Sequence, residues 1–291
     1  MKTKDEISHY LSLVPGLNHK AEFYYQYLVQ GITNENYQLN IDGSHYVLRI
    51  NSPDSKRLGL QREEEVKVLN QVSHLQLSPE HVFFSQQEGF FLNRWIEGKI
   101  WKKADLEKEV NLNRLAQKLK QLHSLPSDNL ALLDISARLD LYRHMIRQRH
   151  GKLPKIEQRL ITQVISLLGA IGHSHAPCLC HNDLLCANII TSGINNNDSI
   201  LFLDWEYAAV NHPLFELAVI CQGNQLSHES QHYLLQAYLG ESTAVVSQEF
   251  ERWCWLYDYL SLLWGLVILP EDISLPENLN HLFQQLRDTL P

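Results

Sequence analysis

The period of the hydrophobic positions changes along the chain, and each change marks a part. Residues Lys2 to Val14 carry the spacing of a short amphipathic helix stopped by Pro15-Gly16. From Glu22 to Ile50 the period becomes two. Tyr37, Leu39 and Ile41 alternate with polar residues, Asp42-Gly43 is a two-residue hairpin signal, and Tyr46, Leu48 and Ile50 alternate on the return. A helix is predicted over QREEEVKVLNQV, where Glu65, Val68, Leu69 and Val72 share one face. GFFLNRWIEG, from Gly89 to Gly98, is an apolar strand entering a polar joint. Beyond it the texture is helical: Leu112, Leu115, Leu119 and Leu122 lead to Pro126, and LDLYRHMIRQRH and IEQRLITQVISLLGAI predict two more helices. A polar hairpin is expected at Ile194 to Ser199, then LFLD predicts a strand ending at Asp204. NHPLFELAVI and FERWCWLYDYLSLLWGL predict further helices.

Composition narrows the class without naming it. A chain of 291 residues, 44% hydrophobic and 20% charged, can bury a sizeable core as one large domain or two lobes. No apolar stretch is long enough to span a bilayer and the start lacks the apolar core of a secretory signal, so a cytoplasmic protein without a membrane partner is expected. The net charge of −8 argues against a nucleic-acid partner and suits a cationic small molecule. Cys178 and Cys180 stand beside His181, but no second spaced pair completes a metal site, so the five cysteines are read as buried thiols.

The chemistry concentrates in HNDLLCANII, His181 to Ile190, and LFLDWEY, Leu201 to Tyr207. Asp183 and Asn188 stand five positions apart, the interval of a phosphoryl-transfer catalytic loop. A carboxylate at Asp183 can orient the hydrogen of an attacking alcohol. Asn188 and Asp204 offer hard oxygens of the kind magnesium takes. His181 is expected to hold the loop by a hydrogen bond.

These two stretches together resemble the aminoglycoside phosphotransferase and choline kinase superfamily, with the bacterial thiamine kinases and the choline kinase branch as the nearest likeness. The resemblance implies an α+β, bilobal, protein-kinase-like fold: a small antiparallel sheet lobe (residues 1–95) that binds nucleotide, and a larger, mainly helical lobe (residues 96–291) for catalysis and substrate. It implies ATP and Mg2+, with Asp183, Asn188 and Asp204 catalytic and the metal on Asn188 and Asp204. Arg49 then stands where protein kinases place a phosphate-gripping lysine, with Glu65 as its partner across the helix. The turn with Gly31, Thr33 and Asn34 lies over the phosphates, and backbone near Arg94 to Gly98 meets the adenine. Asn182 departs from the usual small residue between His and Asp.

The remaining expectations concern substrate. Glu216, where the family usually has Asp, is read as a structural carboxylate, and His123 as a packing or capping residue. Glu206 is expected near the metal or the substrate, with a structural role as the other reading. The helix with Trp253, Trp255, Tyr257, Asp258 and Tyr259 offers aromatic faces and a carboxylate to a cation, with Trp255 and Tyr259 as candidates; the spacing of Trp253, Leu256, Leu260 and Leu263 also suits core. The expected reaction moves the γ-phosphate of ATP to the hydroxyl of a small cationic alcohol, thiamine first and choline second, in a monomer or homodimer. The alternatives are an aminoglycoside-type phosphotransferase and a non-catalytic nucleotide-binding pseudokinase.

Overall fold

The computed structural model describes residues 1–18, 21–28, 34–55, 57–150, 157–171, 174–193, 199–240, 244–269 and 276–289. The chain forms two compact units, one of residues 1–99 and 190–207, the other of 100–189 and 208–291. In the first, helix α1 (Lys4–Ser12) starts at a capping box between Thr3 and Glu6. Strands β1 (Phe23–Leu28), β2 (Asn34–Ile41) and β3 (Ser44–Asn51) form a meander, helix α2 (Arg62–Val72) follows, and β4 (His81–Ser85) and β5 (Phe90–Arg94) complete an antiparallel sheet in the order β1-β2-β3-β5-β4.

Alternation set the register of that sheet. Asp42 and Gly43 both take positive φ, the backbone a tight hairpin needs, and pair Ile41 with Ser44. Tyr37, Leu39, Ile41, Tyr46, Leu48 and Ile50 then fall on the face that packs with Ile7, Leu11, Phe90 and Leu92. In α2 the predicted face is buried, Glu65 included.

The second unit takes up the chain after the short strand β6 (Lys99–Ile100), with helices α3 (Lys103–Leu106), α4 (Glu109–His123), α5 (Ile135–His150) and α6 (Glu157–Ala170), then strand β7 (Cys178–Cys180). β8 (Ile189–Ser192) and β9 (Ser199–Phe202) carry the chain back through the first unit, where the Phe202 N–H donates to the Leu77 carbonyl at 2.7 Å. The helical unit resumes with β10 (Ala209–Asn211), which pairs with β7, and helices α7 (Pro213–Gly223), α8 (His228–Leu239), α9 (Ala244–Ile268) and α10 (Glu277–Asp288).

The division differs from the expected 1–95 and 96–291. The first break falls at Lys99, and residues 190–207, with Asp204 and Glu206, belong to the sheet unit. A strand that hydrogen-bonds to Leu77 is part of that unit's framework although it lies far along the chain. Most of the expected hairpin at Ile194 to Ser199, with Asn195 to Asn197, lies outside the described residues. Among the described residues no helix is long and apolar enough to cross a membrane.

Candidate active site

In the sheet unit Arg49 of β3, on the sheet face opposite Leu48 and Ile50, lies over the ring of its strand partner Phe91 at 4.2 Å. Its guanidinium meets Glu65 Oε1 at 2.5 Å and Asp204 Oδ1 at 3.0 Å. A second guanidinium completes the cluster. Arg62, the first residue of α2, donates from Nη1 to Glu65 Oε2 at 3.0 Å and Glu206 Oε2 at 2.9 Å, and from Nη2 to Asn34 Oδ1 and Ser55 Oγ, both at 3.0 Å. Asn34 donates to Glu206 Oε2 at 2.8 Å. Arg62 was not singled out from the sequence; its place three residues before Glu65 on the helix was the available signal.

Asn34, expected over phosphates, here holds Glu206, and the pairing of Glu206 with Arg62 and Asn34 accords with the structural reading of that carboxylate. Gly31 and Thr33, the other members of the expected phosphate turn, lie outside the described residues.

Asp204 follows β9 with φ +60, a left-handed conformation that Asp tolerates better than most residues. Burial, and then the neighbouring Glu206, push its carboxyl up to about 7 against the pull of Arg49. Burial also opposes ionisation of Glu206, but Arg49, Arg62 and Asn34 outweigh it and hold that carboxyl below the ordinary range. Three carboxylates face two guanidiniums, so one negative charge is uncompensated when all are ionised. A surplus carboxylate oxygen at a fixed backbone position fits a hard divalent cation such as magnesium.

In the helical unit β7 delivers His181, Asn182 and Asp183. Asn188 lies on a single 3-10 turn and donates from Nδ2 to the Asp183 carbonyl at 2.8 Å and to Asp183 Oδ2 at 3.1 Å. The amide thereby steadies the carboxylate, and its Oδ1 is the atom of the right kind for magnesium. Glu216 of α7 is wholly buried and accepts from the main-chain N–H of His181 at 2.5 Å and of Asn182 at 3.1 Å, so it is a buttress for the loop. The loop is thus gripped through the His181 main chain. Asn182 takes φ +63, where the missing side chain of a glycine would be at ease; its Oδ1 accepts from Asn211 Nδ2 at 2.8 Å. Asn224 closes the far side, accepting from the Cys186 N–H at 2.6 Å and donating to the Leu184 carbonyl at 3.1 Å.

Helix α9 corrects the two aromatic expectations. Trp255 is 4% and Tyr259 0% exposed. They stack on each other at 5.7 Å, Trp255 Nε1 donates to the Leu286 carbonyl, and the Tyr259 hydroxyl accepts from Arg143. Both are core, because neighbouring helices cover α9 on nearly every side. Tyr257 and Asp258 lie nearer the loop. The Tyr257 hydroxyl abuts Gly223, where an added Cβ would sit 2.6 Å from it and 2.5 Å from Leu185 Cδ2. Burial raises the Tyr257 phenol well above its ordinary range, and the charges of Asp183 and Asp258 add to the rise. Asp258 accepts from Gln222 Nε2 at 2.8 Å, and burial pushes its carboxyl up to about 6.

The fold is of the kinase-like class. The phosphotransferase enzyme family model matches residues 25–256, and the chain belongs to that family. A protein named LicA from Haemophilus influenzae is 27% identical over 231 residues, covering 77% of this chain and 65% of that protein, so the match spans under two thirds of the relative. The structure is similar to that of the choline kinase LicA from Streptococcus pneumoniae, with a TM-score of 0.78, 20% identity, and coverage of 98% of this chain and 96% of that one. It is also similar to a streptomycin–ATP–APH(2″)-IIa ternary complex, with a TM-score of 0.65, 18% identity, and coverage of 99% and 97%.

Proposed function

We propose that this protein transfers the γ-phosphate of ATP to the hydroxyl of a small cationic amino alcohol of the choline and ethanolamine class. The reading is carried by the Asn188–Asp183 pair, a carboxylate fixed by a side-chain amide on a loop buttressed by Glu216. Phosphoryl transfer has a loose transition state, so positioning and charge neutralisation supply most of the catalysis. Asp183 orients the acceptor hydroxyl and takes its proton as the bond to phosphorus forms. Asn188 and Asp204 each carry an oxygen of the kind magnesium takes. The ion, when bound, neutralises phosphate charge. Arg49 and Arg62 hold the acidic groups around Asp204 in place, and Arg49 keeps the cationic role that a lysine has in protein kinases.

Choline replaces thiamine as the favoured acceptor. The name LicA is shared by the Haemophilus relative and the Streptococcus choline kinase, and an ethanolamine kinase of Homo sapiens is 30% identical over 123 residues. The buried carboxylates point the same way. Glu216 is committed to the loop, Glu249 lies 3.5 Å from His212, and Asp105 meets Lys108. Among the described residues that leaves Asp258, beside Tyr257, as the carboxylate for one ammonium group; a polycationic aminoglycoside calls for several.

The test is an ADP-release assay with purified protein, Mg2+ and ATP over choline, ethanolamine, thiamine, a panel of aminoglycosides and simple sugars. Turnover should be highest with choline or ethanolamine and vanish in Asp183→Ala. Preference for an aminoglycoside or for thiamine overturns the acceptor assignment, and absence of turnover with every acceptor supports the pseudokinase.

A further inference from the structure

One cluster in the helical unit has no part in phosphoryl transfer as described. His123 closes α4, and Cys178 and Cys180 are the two ends of β7. The two-residue period of the strand puts both sulfurs on one face, 3.8 Å apart. A ring nitrogen of His123 and the two sulfurs all lie within 4.8 Å of one another. The His123 side chain is 5% exposed, and its Nε2 is a buried atom without a hydrogen-bond partner, 3.8 Å from Glu216 Oε2. The other ring nitrogen, Nδ1, pairs with the Tyr238 hydroxyl at 2.6 Å, which fixes the ring as an outer-shell partner fixes a metal-binding histidine.

We propose that His123, Cys178 and Cys180 bind a thiophilic divalent ion of the zinc class at the root of the loop that carries Asp183. Tetrahedral Zn–S bonds of about 2.3 Å separate two sulfurs by about 3.8 Å, the spacing already present. Water supplies the fourth ligand, because Glu216 is occupied by the loop amides.

Charge balance selects a divalent ion. Cysteine binds a metal as thiolate and histidine as neutral imidazole, so two thiolates, one imidazole and a divalent ion together carry no net charge. Such a neutral set suits a buried place. It would tie the end of α4 to β7 directly before His181. Sequence spacing did not reveal the site because His123 is 55 residues from Cys178 and joins it only through the fold.

The experiment uses the full chain, stripped with a chelator and kept reduced by a phosphine. Co2+ should bind in a single equivalent and give thiolate charge-transfer and intense tetrahedral d–d bands, which Zn2+ should abolish by displacement. Zn2+ binding should release protons into a weakly buffered indicator and raise Tm. Cys178→Ser and Cys180→Ala should each weaken binding roughly 100-fold or more while far-UV circular dichroism is kept, and Cys254→Ser should not. Binding that survives loss of both thiols, a pale octahedral cobalt spectrum, or a Cys178–Cys180 disulfide as the sole chemistry of the pair overturns the proposal.

Discussion

Arg49 and Glu65 meet at 2.5 Å with side chains 8% and 1% exposed, and Glu65 gives its second oxygen to Arg62. One carboxylate thus serves two guanidiniums that in turn reach Asp204 and Glu206. The pair joins β3 to α2 and fixes where the sheet unit presents its acidic groups.

Removing the shared charge should therefore cost more than removing a surface ion pair. Glu65→Gln leaves two buried guanidiniums facing one fewer anion, and should destabilise the protein by about 3–5 kcal/mol in urea unfolding. The pairing is then measured by a double-mutant cycle with Arg49→Met. A coupling below about 0.5 kcal/mol shows that the two residues do not depend on each other.

Two measurements separate Asp183 from Asp204. Asp183→Asn should lower kcat by roughly 100- to 10,000-fold, the range for loss of a positioned proton acceptor, with ATP affinity kept. Asp204→Ala should remove the Mg2+ dependence of nucleotide binding measured by calorimetry. Full turnover in the first variant, or persisting metal dependence in the second, takes the role away from that residue.

Glu216 and Asn182 set the loop's backbone. Glu216→Ala strips the acceptor from two buried N–H groups, a loss of about 2–4 kcal/mol by thermal unfolding in which kcat should fall as well. Asn182→Gly keeps the positive φ but gives up the bond from Asn211, so it should fold near normally, while Asn182→Val should lose about 1–2 kcal/mol more than the glycine variant. Equal stability of the glycine and valine variants means the left-handed backbone imposes no constraint.

How far the sequence revealed this site depended on how each residue is placed. Glu65 lies on the helix face that a period of 3.6 marks as buried, and it is buried; Arg49 alternates away from Tyr46, Leu48 and Ile50, and its role was legible only through the family resemblance. Asp183 and Asn188 are legible because one tight loop carries both. Arg62 and His123 gain their partners from elements remote in sequence, and no local period reports that. Trp255 and Tyr259 show the opposite failure. An aromatic helix looks the same to the eye whether its rings face a ligand or other side chains, and the burial of Trp255 and Tyr259 is decided only in three dimensions. The division into units was misjudged for a similar reason, since β9 joins the sheet unit through long-range pairing with Leu77.

Asp258 gives a prediction whose sign follows from burial. Its carboxyl titrates near 6 in the folded protein against an ordinary 3.8, so between those values the native state holds a proton that the unfolded chain has lost. Stability contributed by the protonated form is complete below about pH 4, declines as pH rises through about 6, and changes no further. The loss is on the order of 2–3 kcal/mol. Asp258→Asn should flatten that part of the stability profile in urea titrations and make the ligand-free protein more stable at pH 8. A cationic acceptor needs the ionised carboxylate, so choline affinity should rise up to about tenfold per pH unit toward pH 6 and level off above it, and the asparagine variant should lose both the affinity and the slope. If the variant binds choline as tightly as the parent protein at pH 8 while its stability profile is flattened, Asp258 is a buried acid of the α7–α9 packing, and the ammonium is held elsewhere.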